Sequence, residues 1–403
     1  MPEIQILKFH TEYKNLRKKI KYRRFNNSLL HLKGDYYLMS YRLFYPTGSG
    51  SKSIKLDSRR YHPWSSGWSS HMDTTILAVL KWSGATQSFS VVNEMKIHYP
   101  DRFKVFENNL QDARLVRLHG RIFAYGQAWV DPEDAVSKNV VEEAGPHGNA
   151  TVCLREKKEC SAVVILLIEL EVKNNGHRLP HEAHVKSVTM PCVSQPYVNT
   201  IRGDMSIEKN WCFFEAGGKV WFEHFLHPHI VVSLNCKKKY ETPSPLEAIR
   251  KHFGCGMFLS PGGPLTPWKN GQLLGVGHVK YKWDCLNLLR IPKGIYKHPK
   301  DWGGFVYAMF FYVIENKPPF RMMYYSNAFL PSYKGQHYAL VFPMGCLRVE
   351  KKKWAIPYGE GDDTPNVLFL STQDIKDRLI SAKTPEHPAN FTVTWWPSHK
   401  LDN

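Results

Sequence analysis

The chain contains no apolar run long enough to span a membrane, and the segment after Met1 is polar, so neither a membrane anchor nor a signal peptide is expected. Its eight cysteines form no Cys-x-x-Cys pair, and Cys153 and Cys160 stand too far from histidine to suggest a zinc site. Scattered unpaired thiols in a reducing, cytoplasmic compartment are the expectation. On that expectation the sequons Asn149-Ala150-Thr151 and Asn390-Phe391-Thr392 are chance matches. Acidic residues are short: 36 Asp and Glu face 54 Lys and Arg, giving a net charge of +18. Such a chain suits a polyanionic partner or a phosphate-bearing substrate. An RNA-binding aromatic motif and a basic recognition helix are both missing, so nucleic acid is the weaker partner class. The glycines at Gly262-Gly263, Gly275 and Gly277 precede no helix, which excludes a dinucleotide or P-loop fingerprint.

What is present is a folded, aromatic-rich chain of 403 residues, 43% hydrophobic and 13% aromatic. The stretch from Gln111 to Gly126 reads as a strand, a tight turn at Gly120 and a second strand of alternating apolar residues. Asp112, flanked by arginine, stands eight residues before that turn. A carboxylate at a strand mouth beside a cation has the makings of a general acid or base; the plain alternative is a turn cap.

The same unit recurs. Asn26 stands eight before Gly34, Lys209 eight before Gly217, and Gly263 eight before Gly271. A fifth copy runs from Phe342 to Gly359. Strand–turn–strand units at this spacing predict an all-β, five-bladed β-propeller with loop insertions and a short C-terminal helix over 372–382. In such a ring the positions before the turns converge, although they are scattered in sequence. After the turns a second polar set appears at Arg42, Gln127, His224 and His278, where a plain core would be apolar.

In chain order, residues 1–24 form a basic extension, read either as an anion-binding patch or as a solvated face. The propeller is expected over 25–365, with its second blade at 75–131 and an insertion around 132–207. Residues 366–403 make a closing segment. His227 and His229 alternate on one strand, a possible metal pair without a third ligand; anion binding or core hydrogen bonding suits them better.

These units together resemble the five-bladed β-propeller superfamily of carbohydrate-active enzymes. Within it they are most similar to the β-mannoside phosphorylases of glycoside hydrolase family 130 and the related β-1,2-mannosyltransferase/phosphorylases of protozoan parasites. Gln111-Asp112-Ala113-Arg114 resembles that group's Glu-Asp-Pro-Arg, Asn26-Asn27-Ser28 its Asn-Pro-Ser, and Tyr41-Arg42 its arginine strand. Lys209-Asn210-Trp211, His227-Pro228-His229, Gly262-Gly263 with Gly277-His278, and Tyr358-Gly359-Glu360-Gly361-Asp362 follow in the family's order.

The resemblance implies an inverting glycosyl-transferring enzyme that makes or phosphorolyses β-mannosides, with Asp112 as acid or base. Arg42, Lys209, His229 and His278 would hold phosphate, Asp362 sugar hydroxyls, and Asn26 would join the substrate-binding set. No cofactor or metal is implied; inorganic phosphate or a sugar 1-phosphate is a substrate, and an oligosaccharide the acceptor. A single carboxylate suffices because phosphate is already an anionic nucleophile, whereas an inverting hydrolase needs a second one to activate water. The chain departs from the family at Gln111, Ala113 and Asn27. Losing the Glu at 111 removes a negative charge beside Asp112. These departures keep open a nucleotide-sugar donor on the same fold, or a non-catalytic carbohydrate-binding propeller.

Overall fold

The computed structural model describes residues 3–9, 14–15, 20–21, 23–46, 71–106, 110–130, 142–143, 162–174, 179–191, 210–254, 256–282, 305–331, 340–361 and 364–396. The fold is mostly β, and among the described residues its two α-helices are Pro245–Phe253 and Thr372–Lys376. The second occupies only the start of the helix expected over 372–382. Ser371 stops the preceding strand and caps it, accepting from Asp374 N while the Asp374 side chain bonds back.

Five antiparallel units follow one another along the chain. Unit one comprises Arg23–Lys33, Tyr36–Pro46, His71–Ser83 and Ser88–His98. Unit two comprises Leu110–Leu118, Arg121–Val130, Ala162–Lys173 and Glu182–Met190. Unit three comprises Cys212–Ala216, Lys219–Leu226, His229–Ser233 and Lys239–Thr242. Unit four has an interrupted first strand, Phe258–Pro261 and Thr266–Pro267, then Gln272–Lys282, Phe305–Glu315 and Met322–Ser326. Unit five is similarly interrupted at Val341–Pro343 and Leu347–Glu350, then continues as Lys353–Glu360 and Thr364–Ser371.

Local chemistry explains these strands. Ser88–His98 alternates buried and exposed side chains because one face meets the core and the other water. From Val306 to Ile314 the strand Phe305–Glu315 is almost wholly buried, and it reads as a nearly continuous apolar run. The turn Asn270-Gly271 has φ of 51° and 66°. Positive values at both central residues give the twist that a two-residue hairpin needs, and Asn-Gly tolerates them.

The apolar cores are seams between successive units. One joins unit one to unit two through Leu38, Leu77, Leu115 and Ile168. Another joins unit two to unit three through Val116, Tyr125, Phe213 and Phe222. The largest joins units three, four and five through Phe214, Phe310, Tyr312 and Trp354. A fourth brings unit five back against unit one through Phe369, Val367, Tyr41 and Trp82. Burying each such side chain contributes about 1.5–3 kcal/mol.

The terminal segments differ from expectation. Glu3–Ile6 pairs with Thr364–Ser371 and so supplies the outer strand of unit five. Gln5 ties that strand to unit one: its Nε2 donates to Phe89 O (2.6 Å) and its Oε1 accepts from Phe89 N (2.8 Å). The C-terminal strands Leu379–Ser381 and Val393–Trp396 join unit four instead. Trp396 meets Phe329, and the Arg378 guanidinium lies 3.9 Å from its ring centre. The segment expected as an insertion at 132–207 supplies the outer half of unit two. Ala162–Lys173 pairs with Arg121–Val130 and Glu182–Met190 with Ala162–Lys173, while His71–Ser83 with Ser88–His98 belongs to unit one. Local patterning identifies each strand but does not say which hairpin it completes.

The cysteines also depart from the expectation of unpaired thiols. Cys212 and Cys346 are free and buried, but Cys236 is disulfide-bonded to a cysteine outside the described residues. With it, the cysteines cease to support a reducing compartment.

Candidate functional site

Asp112 occupies a bulge. Gln111 pairs with Gln127 and Arg114 with Tyr125, so three steps on one strand oppose two on the other. In unit one the register breaks between Phe25 and Ser28 in the same way. Asn26 and Asp112 both sit at φ 52°, in the left-handed region that Asn and Asp tolerate better than most residues. The positions eight before the first two turns are therefore structurally equivalent.

The bulges turn these two side chains together. Asn26 Nδ2 donates to Asp112 Oδ1 at 2.7 Å, and Arg42 Nη1 reaches the same oxygen at 3.4 Å. The Asp112 and Arg42 side chains remain 17% and 12% exposed. Neighbouring groups hold the bulge itself. Ser40 Oγ donates to Ala113 O (2.6 Å), Ser28 Oγ accepts from Leu115 N (3.1 Å), and Thr75 Oγ1 donates to Leu110 O (3.1 Å). All three side chains come from unit one and are buried. Gly126 faces the bulge closely: a Cβ there would stand 2.4 Å from Gln111 O. Gly359 of unit five does the same for Asn26, whose backbone N would lie 2.8 Å from an added Cβ.

Behind Asp112 runs Arg114, 3% exposed. Its Nη1 donates to Asp112 O (3.3 Å), its Nε to Gly262 O of unit four, and its Nη2 to Asn210 Oδ1 (2.8 Å). Asn210 Nδ2 in turn lies 3.3 Å from His278 Nε2. Burial, with the Arg114 and Lys280 charges, holds the His278 pKa down at about 3. The ring is thus neutral near pH 7 and accepts at Nε2 from the Asn210 amide. It packs against Tyr307 and Phe342, with centroids 5.7 and 4.8 Å away.

Of the residues singled out by sequence, Asn26, Arg42 and Asp112 meet directly, and His278 joins through Asn210 and Arg114. His229 is placed otherwise. Its side chain is fully buried, with Nε2 2.9 Å from Glu223 Oε1 and Nδ1 3.4 Å from Thr242 Oγ1. Glu223 also accepts from Tyr312 Oη at 2.5 Å. Both ring nitrogens of His229 are thereby engaged inside the seam between units three and four. His227 accepts from Leu259 N, and His224 packs on Trp211, so the three histidines do not converge. Among the described residues no cluster of metal-ligating side chains occurs. Lys209 and Asp362 lie outside the described residues.

The sequence reading did not single out the network of Arg114, Asn210, Ser28 and Ser40. Arg114 and Asn210 stand inside the motifs that carry the resemblance, yet only packing across units gives them partners. Ser28 likewise stands inside a motif and Ser40 does not, and both acquire their role from the bulge beside them.

The chain is similar in structure to several solved proteins. One is the β-1,2-mannobiose phosphorylase of Listeria innocua, at 10% identity and TM-score 0.49, covering 90% of this chain and 94% of that one. Another is MPT-1, a GDP-Man-dependent mannosyltransferase of Leishmania mexicana, at 12% identity and TM-score 0.44, covering 92% and 90%. A third is MPT-4, a mannose phosphorylase of the same organism, at 10% identity and TM-score 0.42, covering 95% and 93%. No family model and no curated protein sequence matches the chain.

Proposed function

We propose that the five units are the blades of one closed β-propeller, and that the protein is an inverting glycosyl-transferring enzyme acting on β-mannosides with Asp112 as general acid or base. The observation that carries this reading is the Asp112 carboxylate itself. It is partly accessible, stands on a bulge buttressed by buried serines, and is held by Asn26 and Arg42 from the neighbouring unit.

In phosphorolysis an oxygen of inorganic phosphate forms the bond to the anomeric carbon from the face opposite the leaving sugar. The glycosidic C–O bond breaks, and its electron pair goes to the leaving oxygen, which takes the proton of Asp112. The products are α-mannose 1-phosphate, a shortened saccharide with a new hydroxyl, and Asp112 as carboxylate. In synthesis each step reverses: Asp112 accepts the acceptor hydroxyl's proton and phosphate departs. Arg42, beside Asp112, suits the phosphate. His278, being neutral, is not counted among the phosphate's cations.

A donor screen tests the reading. The full chain is given mannose as acceptor with α-mannose 1-phosphate or a panel of nucleotide sugars, and release of phosphate or nucleotide is followed. Phosphate release with a growing oligosaccharide is expected. Nucleotide release would move the protein among the nucleotide-sugar transferases while retaining Asp112. Sugar binding without transfer from any donor would leave a carbohydrate-binding propeller and overturn the enzymatic reading.

A further inference from the structure

We propose that the turn end of the five units, opposite Asp112, is a docking face for an anionic membrane surface. The inference goes beyond the reaction proposed above and does not depend on it.

The turns of successive units are neighbours in space. Arg117 Nη2, beside the unit-two turn, donates to His31 O of unit one (3.0 Å), and His119 N at that turn donates to Glu215 Oε2 of unit three (2.7 Å). Trp221, just after the unit-three turn, meets Phe320 of unit four with ring centres 5.0 Å apart. Trp268 of unit four meets Trp354 of unit five at 5.1 Å. Lys353 Nζ of unit five then returns to unit one at Gln87 Oε1 (2.6 Å). All five units therefore present their turns on one side. Asn26 and Asp112 stand eight residues before their turns, which at the rise of a strand puts them roughly 25 Å away.

Charge on that side is unbalanced. Lys33, Lys219, Lys238, Lys317, Lys351 and Lys352 are all exposed there, from four of the five units. Among the described residues none of these six ammonium groups meets a carboxylate. The carboxylates nearby are already engaged. Glu169 is taken by Arg121 (2.8 Å), Glu215 by His119 N, and Glu350 by Trp82 Nε1 (3.0 Å) and Gln87 Nε2 (3.1 Å). An array of like charges repels itself, and an anionic surface relieves that repulsion at every lysine together.

The chemistry of the array selects a bilayer over a nucleic acid. Arginines at these turns are spent: Arg117 on the carbonyls of Gly120 and His31, Arg121 on Glu169, and Arg321 on Glu315. What remains is lysine, a mobile point charge without the planar fork that grips bases and phosphates in pairs of bonds. The exposed large apolar side chains among the described residues are Ile6, Val92 and Phe258, so no turn carries an exposed Phe, Tyr or Trp on which a base could stack. Cations spread around a ring, and not along a groove, match a plane of headgroups. With no apolar wedge beside them, the attachment is electrostatic and reversible. Docked by this face, the protein keeps its Asp112 end turned to water.

The test is sedimentation of the full chain with phosphatidylcholine vesicles, with and without phosphatidylserine. Binding is expected to the anionic vesicles only, and it should weaken as salt is raised. One lysine near such a surface corresponds to about fivefold in partition. The double variant Lys351→Ala, Lys352→Ala should therefore lower partition about 25-fold. Lys8→Ala with Lys96→Ala is the control, removing the same charge from exposed positions at the other end of the strands. It should leave partition near the native value. Equal losses in the two double variants would assign the effect to net charge and overturn the docking face. So would a native chain that ignores the anionic vesicles. Capture of RNA or heparin in place of vesicles would also overturn it, giving the lysines to a polyanion.

Discussion

At the scale of single residues, the proposed site separates Asp112, which would meet the reacting centre, from the groups that hold it. On the proposed reading, Asp112→Asn keeps the shape and the left-handed backbone but removes the proton that the reaction would move. Turnover should fall about 10²–10⁴-fold with sugar binding retained, measured by initial rates beside mannose titrations. Asn26→Gly is the informative companion. Glycine accepts φ 52° without strain, so this variant removes the 2.7 Å bond to Asp112 while sparing the bulge. A lower kcat at nearly native stability is expected; equal loss of both would make Asn26 a backbone residue alone.

His278 yields a prediction about acid. Its folded pKa of about 3 lies below its ordinary value of 6.5. Between those values the unfolded chain binds a proton that the folded one refuses, so stability is full above about pH 6.5 and drains away as pH falls towards 3. The effect is on the order of a few kcal/mol. In His278→Gln, denaturant midpoints should fall less between pH 7 and pH 4 than in the native protein. Parallel curves would remove His278 as the cause.

The element scale is where the bulge must be explained. Gly126→Ala would set a Cβ 2.4 Å from Gln111 O and 3.3 Å from Ala113 Cα, both backbone atoms of the bulge. Neither can swing aside as a side chain would, so a loss of about 1–3 kcal/mol is expected, together with a fall in kcat. Gly120→Ala is the control. Nothing lies within 4 Å of its added Cβ, and only the φ of 77° is strained, so about 1–2 kcal/mol should be lost with kcat native. Thermal melts and rates on both variants separate the two effects.

Much of this scale was legible in the sequence. Turn glycines and alternating strands marked the units, and the eight-residue spacing found Asn26 and Asp112, because an extra residue in a strand recurs at a fixed distance from its turn. Pairing partners were less legible. Glu182–Met190 and Val393–Trp396 stood in an insertion and a closing segment, and which hairpin each completes is decided by packing of distant segments. His229 carries the same lesson: beside a proline and another histidine it looked like a ligand, whereas Glu223 and Tyr312, remote in sequence, make it part of a seam.

For the whole molecule, the seams and terminal strands set stability. The Glu223, His229 and Tyr312 network joins unit three to unit four without exposure to water. Removing one partner of such a buried pair leaves the other uncompensated, and His229→Leu should lower unfolding free energy by about 3–5 kcal/mol. Denaturant titration measures it, and a loss under about 1 kcal/mol would mean that the carboxylate finds another partner. Gln5 makes a similar test at the boundary between units five and one. Its two bonds to Phe89 contribute about 1–3 kcal/mol together, so Gln5→Ala should lower the melting temperature by a few degrees. An unchanged melt would show that pairing of Glu3–Ile6 alone secures this boundary.

Pairing of Glu3 with Phe369 also has a consequence in time. Translation at about 5–20 residues per second separates the appearance of these two residues by roughly 20–70 s. Throughout that interval Glu3–Ile6 has left the ribosome without its mate, and an unpaired strand edge is a template for foreign chains. Unit five therefore gains its outer strand only after Phe369 has emerged, although that strand is among the first residues made.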